Sequence, residues 1–255
     1  MSVSAHTQRD QPPGVPPLEL TGERTLPDVP AENYWYRRHL AVYEWIGARV
    51  IGKRVLDMAC GEGYGSAVLA RGAETVLGVE ANPEAFEHAR LRYARQNLSF
   101  DRGMVENHGE PGAYDAVVFL QTIEHVRDPV AVLRHFRGLL APGGSVYVST
   151  PNLLTLAPPG ADKSSNPWHI KEYRSHEFDA LCRTVFGHVE LLGLFHARKL
   201  RIHELALACG WDAAHARLGL TDPFYDRFTS AISARDFILR PWGLDRALDF
   251  LAVCR

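Results

Sequence analysis

Two hydrophobic rhythms alternate along the chain. Short, nearly unbroken apolar runs stand at residues 54–59, 75–81, 98–103, 114–120, 145–149, 188–195 and 248–253. Each is bounded by Gly, Pro, Asn or Asp and is predicted as a strand. Between them the apolar positions recur at helical spacing. Tyr34, Arg38, Val42 and Trp45 fall three and four residues apart, so residues 32–50 are predicted to form one amphipathic helix ahead of the first strand. Pro83 opens a helix after the second strand, Asp128-Pro129 caps and opens another that runs to Leu140, and a third covers 175–186. Pro142-Gly143-Gly144 turns the chain into the fifth strand. The fourth, Tyr114–Leu120, carries apolar residues on both faces, as parallel strands buried between two helix layers do.

Strand and helix in strict alternation give an α/β domain with a mostly parallel sheet and helices on both faces. Seven strands are expected, the last antiparallel beside the sixth. The connection between those two, residues 197–246, is far longer than a hairpin needs and is a candidate substrate cap. At the other end, residues 1–30 are rich in proline and polar residues, Pro12-Pro13-Gly14 and Pro16-Pro17 among them, and read as a flexible lead to a domain spanning 31–255.

Composition narrows the class. The chain has 255 residues, 46% hydrophobic and 23% charged, which is ordinary globular usage. It contains no apolar run long enough to span a membrane and no signal-peptide pattern, so a cytoplasmic location is expected. Cys60, Cys182, Cys209 and Cys254 show neither metal-binding nor disulfide spacing. The formal net charge is -2, and the basic clusters Arg37-Arg38-His39 and Arg198-Lys199-Leu200-Arg201 are short. A nucleic-acid partner is therefore not expected, because phosphate binding relies on a basic stripe. The sequence does not set an oligomeric state.

The chemistry concentrates in Val55-Leu-Asp-Met-Ala-Cys-Gly-Glu-Gly-Tyr-Gly65. An acid inside a strand, Asp57, leads into Gly61, Gly63 and Gly65, where the backbone can approach a ligand closely. Glu80 closes the next strand about 20 residues beyond Gly61, the separation of a ribose-binding acid in a βαβ nucleotide site. Two nucleotide ligands are open at this stage. A nicotinamide dinucleotide requires Gly or Ala at the third fingerprint position, and Ser66 stands there. Asp57 points instead to a nucleoside with a cationic amino acid tail and no phosphate.

A second constellation follows the fourth strand at Gln121-Thr-Ile-Glu-His125, with Ser149-Thr-Pro-Asn152 and Asn166-Pro-Trp-His169 farther on. Strands of an open parallel sheet end over the ligand crevice, so these residues face the same ligand as the glycine loop. Glu124, His125 and His169, with Gln121, could gather one divalent metal, and imidazole with carboxylate favours transition metals while leaving magnesium possible. Alternatively His125 or His169 is a metal-free general base.

The pairing of VLDMACGEGYG with Gly78-Val-Glu-Ala-Asn-Pro-Glu-Ala-Phe-Glu-His-Ala89 resembles the class I S-adenosylmethionine-dependent methyltransferases. That resemblance implies a Rossmann-like seven-stranded sheet and S-adenosylmethionine as cofactor. It puts Asp57, Ala59, Gly61 and Gly63 at the methionine moiety, Glu80 at the ribose, Ala81, Met104 and Val105 at the adenine, and Leu120 among the cofactor contacts. Tyr34, Trp35 and Arg38 would close over the tail. One departure is Gly103-Met104-Val105, where the family usually carries Gly-Asp-Ala, so the adenine amino group needs a backbone acceptor or Glu106.

The segments Leu20-Thr-Gly-Glu-Arg-Thr25, Glu32-Asn-Tyr-Trp-Tyr-Arg-Arg-His39, STPN, NPWH and Gly193-Leu-Phe-His196 are similar to actinobacterial sugar O-methyltransferases. This implies O-methylation of a saccharide hydroxyl, a mannoside or related glycan, with magnesium or manganese in attendance. Gln121 departs from the Glu-x-x-Glu-His pattern of related metal sites and weakens the expected ligand set. Trp168, Phe195, His196 and Arg198 are the candidate substrate contacts. The QTIEH segment is shared in part with ubiquinone-type O-methyltransferases and with small-RNA 2′-O-methyltransferases, which keeps a quinol or phenol, and an RNA, as alternative acceptors.

Overall fold

The computed structural model describes residues 5–7, 11–19, 25–158, 160–209, 211 and 222–255. The chain builds β1 (Ala5–His6), β2 (Leu18–Glu19), α1 (Asn33–Gly47), β3 (Arg54–Met58), α2 (Tyr64–Leu69), β4 (Thr75–Glu80), α3 (Pro83–Arg92), β5 (Leu98–Arg102) and β6 (Tyr114–Leu120). It continues through α4 (Pro129–Leu139), β7 (Leu140–Pro151), α5 (Leu153–Leu156), α6 (Ser175–Arg183), β8 (Val189–His196), α7 (Arg198–Ala208), α8 (Asp222–Ala231), β9 (Phe237–Arg240) and β10 (Asp249–Cys254). The main sheet has the order β5-β4-β3-β6-β7-β10-β8-β9. β5, β4, β3, β6 and β7 pair in parallel, and β10 lies antiparallel between β7 and β8.

The two-residue period of the strands sorts their side chains into two cores. Val55, Val76, Val118, Tyr147 and Leu251 pack with Leu40, Tyr43 and Ile46 of α1 and Val68 and Leu69 of α2. Their neighbours Leu56, Met58, Val117, Phe119, Val146, Val148 and Phe250 pack on the other face with Leu133 and Phe136 of α4 and Phe178 of α6. A sheet covered on both sides explains why β6 reads as a continuous apolar run.

The expected seven strands become eight. Phe237-Ile-Leu-Arg240 pairs antiparallel with β8, with Leu194 opposite Leu239 and His196 opposite Phe237. A four-residue run inside a long connection gives no period from which to assign it. Among the described residues of the 197–246 connection, Arg198–Ala208 forms α7 and Asp222–Ala231 forms α8. Asn33 Nδ2 donates to the carbonyls of Thr229 (2.7 Å) and Ile232 (3.1 Å), which ties the end of α8 to the start of α1. Residues 210 and 212–221 of the expected cap, and Leu20–Arg24 of the Leu20–Thr25 run, lie outside the described residues, as do the side chains of Phe224 and Tyr225.

Within the stretch read as a flexible lead, Val15, Leu18, Leu26 and Val29 are buried, and the last three form a small core of their own. His88 Nδ1 of α3 donates to the Pro16 carbonyl at 2.8 Å, and a carbonyl can only accept, so this proton is assigned. The described part of the lead is therefore fastened to the outer side of the cofactor-loop half of the sheet. Among the described residues, no helix is long and apolar enough to cross a membrane.

Candidate active site

The site forms where the two central strands end. Ala59 follows β3 and Gln121 follows β6, and both adopt the left-handed conformation (φ 55° and 51°) that non-glycine residues occupy at a cost. Each turns the chain sharply away at the carboxyl edge of the sheet and opens a crevice between the two departing loops. A cavity of about 250 Å³ fills it, walled by Ala59, Cys60, Gly61, Glu62 and Tyr64 on one side and by Leu120, Gln121, Thr122 and His125 on the other. Thr25, His39, Tyr43 and Glu80 complete the wall.

The glycines act by two different means. Gly63 caps α2 at φ 94°, and a Cβ there would sit 2.8 Å from the Ala89 Cβ. Gly65 has ordinary dihedrals, but a Cβ would lie 2.1 Å from the Tyr43 ring, so its role is to let α2 lie flat on α1. Tyr43 then reaches under the loop, where its hydroxyl donates to Asp57 Oδ1 (3.3 Å) while Ser66 Oγ donates to Oδ2 (2.6 Å). Asp57, read as a methionine contact, is fully buried beneath the loop and does not line the cavity.

Burial is the main cause that lifts the Asp57 carboxyl from its usual range to about 7, against the lowering effect of its two hydrogen bonds. Between the unfolded value near 4 and this one, the folded state holds a proton that the unfolded chain has released, so stability contributed at this site falls as pH rises through that window. Urea unfolding of the cofactor-free protein at pH 4.5 and pH 8 is expected to show this decline, and Asp57→Asn is expected to flatten it. Parallel pH slopes in the two proteins would place the proton elsewhere.

Glu80 stands at the cavity wall with both carboxylate oxygens held: Oε2 accepts from Gly61 N at 2.9 Å and Oε1 from Asn82 N at 2.8 Å. The carboxylate is thereby fixed in plane, with lone pairs remaining for two vicinal hydroxyls. Glu62, also buried, accepts from Tyr93 Oη at 3.0 Å, which anchors the loop to the end of α3.

A second cavity of about 360 Å³ adjoins the first, walled by Glu32, Trp35, Glu124, Pro151, Leu156, Asn166 and His169. Thr25, His39, Gln121 and His125 line both cavities and so mark the passage between them. His39 is held neutral there, its imidazole pushed down to about 4 chiefly by burial, with Arg38 adding to the effect and Asp249 opposing it. Thr25 Oγ1 lies 3.5 Å from His39 Nδ1 and 3.3 Å from Tyr64 Oη, so the first wall and the passage share one polar chain.

One ligand atom from each of Glu124, His125 and His169 lies within 4.8 Å of the others, and the two imidazole centroids are 4.9 Å apart. A 3-10 turn, Ile123–His125, places the first two. The third is held by the Glu124 carbonyl, which accepts from Ile170 N (2.8 Å) and Lys171 N (3.2 Å). Their proton positions follow from their partners. His125 Nδ1 lies 3.1 Å from the Trp168 carbonyl and must donate, which leaves Nε2 as the basic nitrogen. Asn166 Oδ1 accepts from Trp168 N (2.9 Å), so its Nδ2 faces His169 Nε2 (3.0 Å) as a donor, and His169 Nδ1 donates to Glu172 at 2.6 Å. Glu172 is buried, which raises its carboxyl, but the hydrogen bonds from Ser164 and His169 outweigh this and hold it below the usual range. Thr150 Oγ1 donates to Glu124 Oε2 at 3.1 Å.

The sequence-assigned residues divide accordingly. Ala59, Gly61, Glu80 and Leu120 line the first cavity, Gln121 and His125 both, and Glu124 and His169 the second. Gln121 Nε2 donates to Ser149 Oγ at 3.1 Å. Ala81 and Met104 are exposed, Val105 packs against the core, and none of the three lines either cavity. Tyr34 bonds His196 Nε2 at 2.7 Å, and Arg38 grips Asp249 through both prongs while its Nη2 donates to the Leu248 carbonyl at 2.9 Å, so both turn away from the cofactor crevice. Phe195 is buried under the Arg240 guanidinium, Arg198 is exposed, and Trp168 contributes its carbonyl to His125 while its ring is exposed. Among the described residues, none from 197–246 lines either cavity.

Thr25, His39, Tyr43 and Tyr64 are wall residues that the motifs did not identify. Thr25 and His39 close two of the segments that carried the sugar-methyltransferase resemblance, which was the available signal.

A methyltransferase-domain family model matches residues 34–205. A Mycolicibacterium smegmatis protein named "Probable S-adenosylmethionine-dependent methyltransferase" is 35% identical over 246 residues, covering 92% of this chain and 94% of that protein. The ubiquinone biosynthesis O-methyltransferase of Xanthomonas campestris is 37% identical over 115 residues, 43% of this chain and 48% of that enzyme. The crystal structure of a Thermotoga maritima SAM-dependent methyltransferase superposes with a TM-score of 0.58 over 88% of this chain and 93% of that one, at 15% identity, which speaks to the fold alone.

Proposed function

Because this chain belongs to the S-adenosylmethionine-dependent methyltransferases, we propose that it methylates a hydroxyl of a saccharide, a mannoside or related glycan. The observation that carries this reading is the pair of cavities that meet at Thr25, His39, Gln121 and His125. The first has the fixed Glu80 carboxylate for ribose hydroxyls and the glycine-loop backbone for the methionine tail. The second holds carboxylate, amide and imidazole groups beside an indole, the mixture that suits a ring with several hydroxyls.

The cofactor supplies a methyl group already activated by its sulfonium. What the protein adds is alignment, exclusion of water and removal of a proton. Gln121, fixed by its bonds to Ser149, bounds the passage on the strand side and neutral His39 bounds it from α1. A charged imidazole at His39 would repel the sulfonium, and burial keeps it uncharged. His125 directs its basic Nε2 by spending Nδ1 on the Trp168 carbonyl, so it can take the proton of an acceptor hydroxyl seated in the second cavity.

Glu124, His125 and His169 also suit a divalent ion, magnesium or manganese. Each imidazole donates Nδ1–H to a carbonyl or carboxylate, the arrangement that orients histidine ligands. These three would hold the ion, which would make a nearby hydroxyl more acidic. His169 would give it the lone pair that Asn166 now engages.

A quinol acceptor is the second reading. It is favoured by the likeness to ubiquinone biosynthesis O-methyltransferases and by exposed Leu154, Trp168 and Ile170 around the acceptor side. Transfer of labelled methyl to mannosides, quinols and RNA oligonucleotides, each with and without chelator, separates the readings. Turnover of a mannoside is the expected result. Labelling of quinol or RNA with every saccharide inert would contradict the saccharide assignment.

A further inference from the structure

Glu32, the N-cap of α1, and Trp35 and His39 within it line the second cavity, three and four positions apart and therefore on one face of the helix. The adjoining positions Tyr34 and Arg38 lie on a different face, engaged by His196 and by Asp249. That ion pair is buried and joins α1 to the start of β10, which fixes the helix rotation and so fixes which residues reach the cavity. Trp35 is 42% exposed although the Arg38 guanidinium lies 5.0 Å from its ring centroid and the Tyr34 ring meets it edge-on at 5.3 Å. An indole held from two sides and still open to a cavity is a rigid flat surface at little entropic cost. Glu32 is half-buried, and among the described residues no group donates a hydrogen bond to its carboxylate, whose pKa is raised by that burial.

We propose that the Glu32–Trp35 face of the first helix recognises the acceptor, with the Trp35 indole as the platform on which the acceptor ring stacks and the Glu32 carboxylate as the hydrogen-bond acceptor for its hydroxyls. His39, one turn on from Trp35, stands at the passage, so a ring seated on Trp35 has its next hydroxyl directed toward the cofactor side. This moves the helix's role from the cofactor tail, where Tyr34, Trp35 and Arg38 were expected to act, to the acceptor, with Trp35 itself reassigned. It rests on the reading of the second cavity as the acceptor site, and it holds for the saccharide and the quinol readings alike.

Steady-state kinetics with methyl α-mannoside, and with a hydroquinone as the second probe, test it together with calorimetric titration of S-adenosylmethionine. For Trp35→Ala the expected result is a KM for the acceptor raised roughly tenfold or more, about the 1.4 kcal/mol that a factor of ten represents, with cofactor affinity unchanged. Trp35→Phe should restore most of the loss, and Glu32→Gln should raise KM while leaving circular dichroism and cofactor binding intact. Unchanged acceptor KM in both Trp35→Ala and Glu32→Gln, or a cofactor affinity that weakens in step with KM, would overturn the assignment. If the wild-type enzyme turns over only hydroquinone, the saccharide reading falls and the face is judged by its hydroquinone KM. An enzyme inert toward both probes refutes the two proposals together.

Discussion

Replacing His125 with alanine is expected to lower kcat by about 10²–10⁴-fold, the contribution of a positioned acid–base group, while cofactor affinity changes little. The proposed ribose and methionine contacts are Glu80 and the glycine loop, whereas His125 lies at the passage between the two cavities. Glu124→Ala and His169→Ala discriminate between the two chemistries this cluster allows. If the three residues act on one ion, each single change should reach a similar low rate, the double changes should cost little more, and chelator should reproduce the loss, because groups that act as a unit are non-additive. If His125 is a metal-free base, chelator should have no effect and the rate should rise with pH across the imidazole range. Glu124→Ala would then leave in place the backbone carbonyl that holds Ile170 and Lys171, and its effect should be smaller than that of His125→Ala. Full activity of His125→Ala would eliminate both.

A change of similar size, but in stability, is expected from Arg38→Met. Arg38 and Asp249 are buried at 6% and 1% exposure, and their pairing crosses from α1 to β10. Removing one partner leaves a buried carboxylate uncompensated, which typically destabilises by about 3–5 kcal/mol. Urea unfolding of the cofactor-free protein reads this directly. The double variant Arg38→Met with Asp249→Leu should recover much of the loss, since the remaining charge is gone. Were Arg38 a cofactor contact, as its place in the sequence suggested, the variant would instead keep its stability and lose affinity.

That contrast shows where the sequence was legible. Both faces of the parallel strands are buried, so β3, β4, β6 and β7 announce themselves as apolar runs, and Gly61, Gly63 and Glu80 sit at separations the backbone geometry requires. Helix phase is a different matter. Tyr34, Trp35, Arg38 and His39 are adjacent in α1, and which pair faces the crevice depends on the Arg38–Asp249 contact, more than two hundred residues apart in the chain. Asp57 illustrates the same limit: its position at the end of a strand was evident, but Tyr43 from α1 and Ser66 from α2 determine that it supports the loop from beneath. β9 was not foreseen because its pairing with β8 is set by tertiary packing of a long connection. The packing of Leu18, Leu26 and Val29 was hidden by the prolines around them.

The proposed function makes the two cavities the donor and acceptor sides of one methyl-transfer centre. A crystal structure with the demethylated cofactor bound tests it most directly. The ribose hydroxyls should lie on the Glu80 carboxylate, the tail on the loop at Ala59 and Gly61, and the sulfur at the passage bounded by Thr25, His39, Gln121 and His125, facing the second cavity. A sulfur facing away from that passage, or a ribose bound without Glu80, would contradict the account.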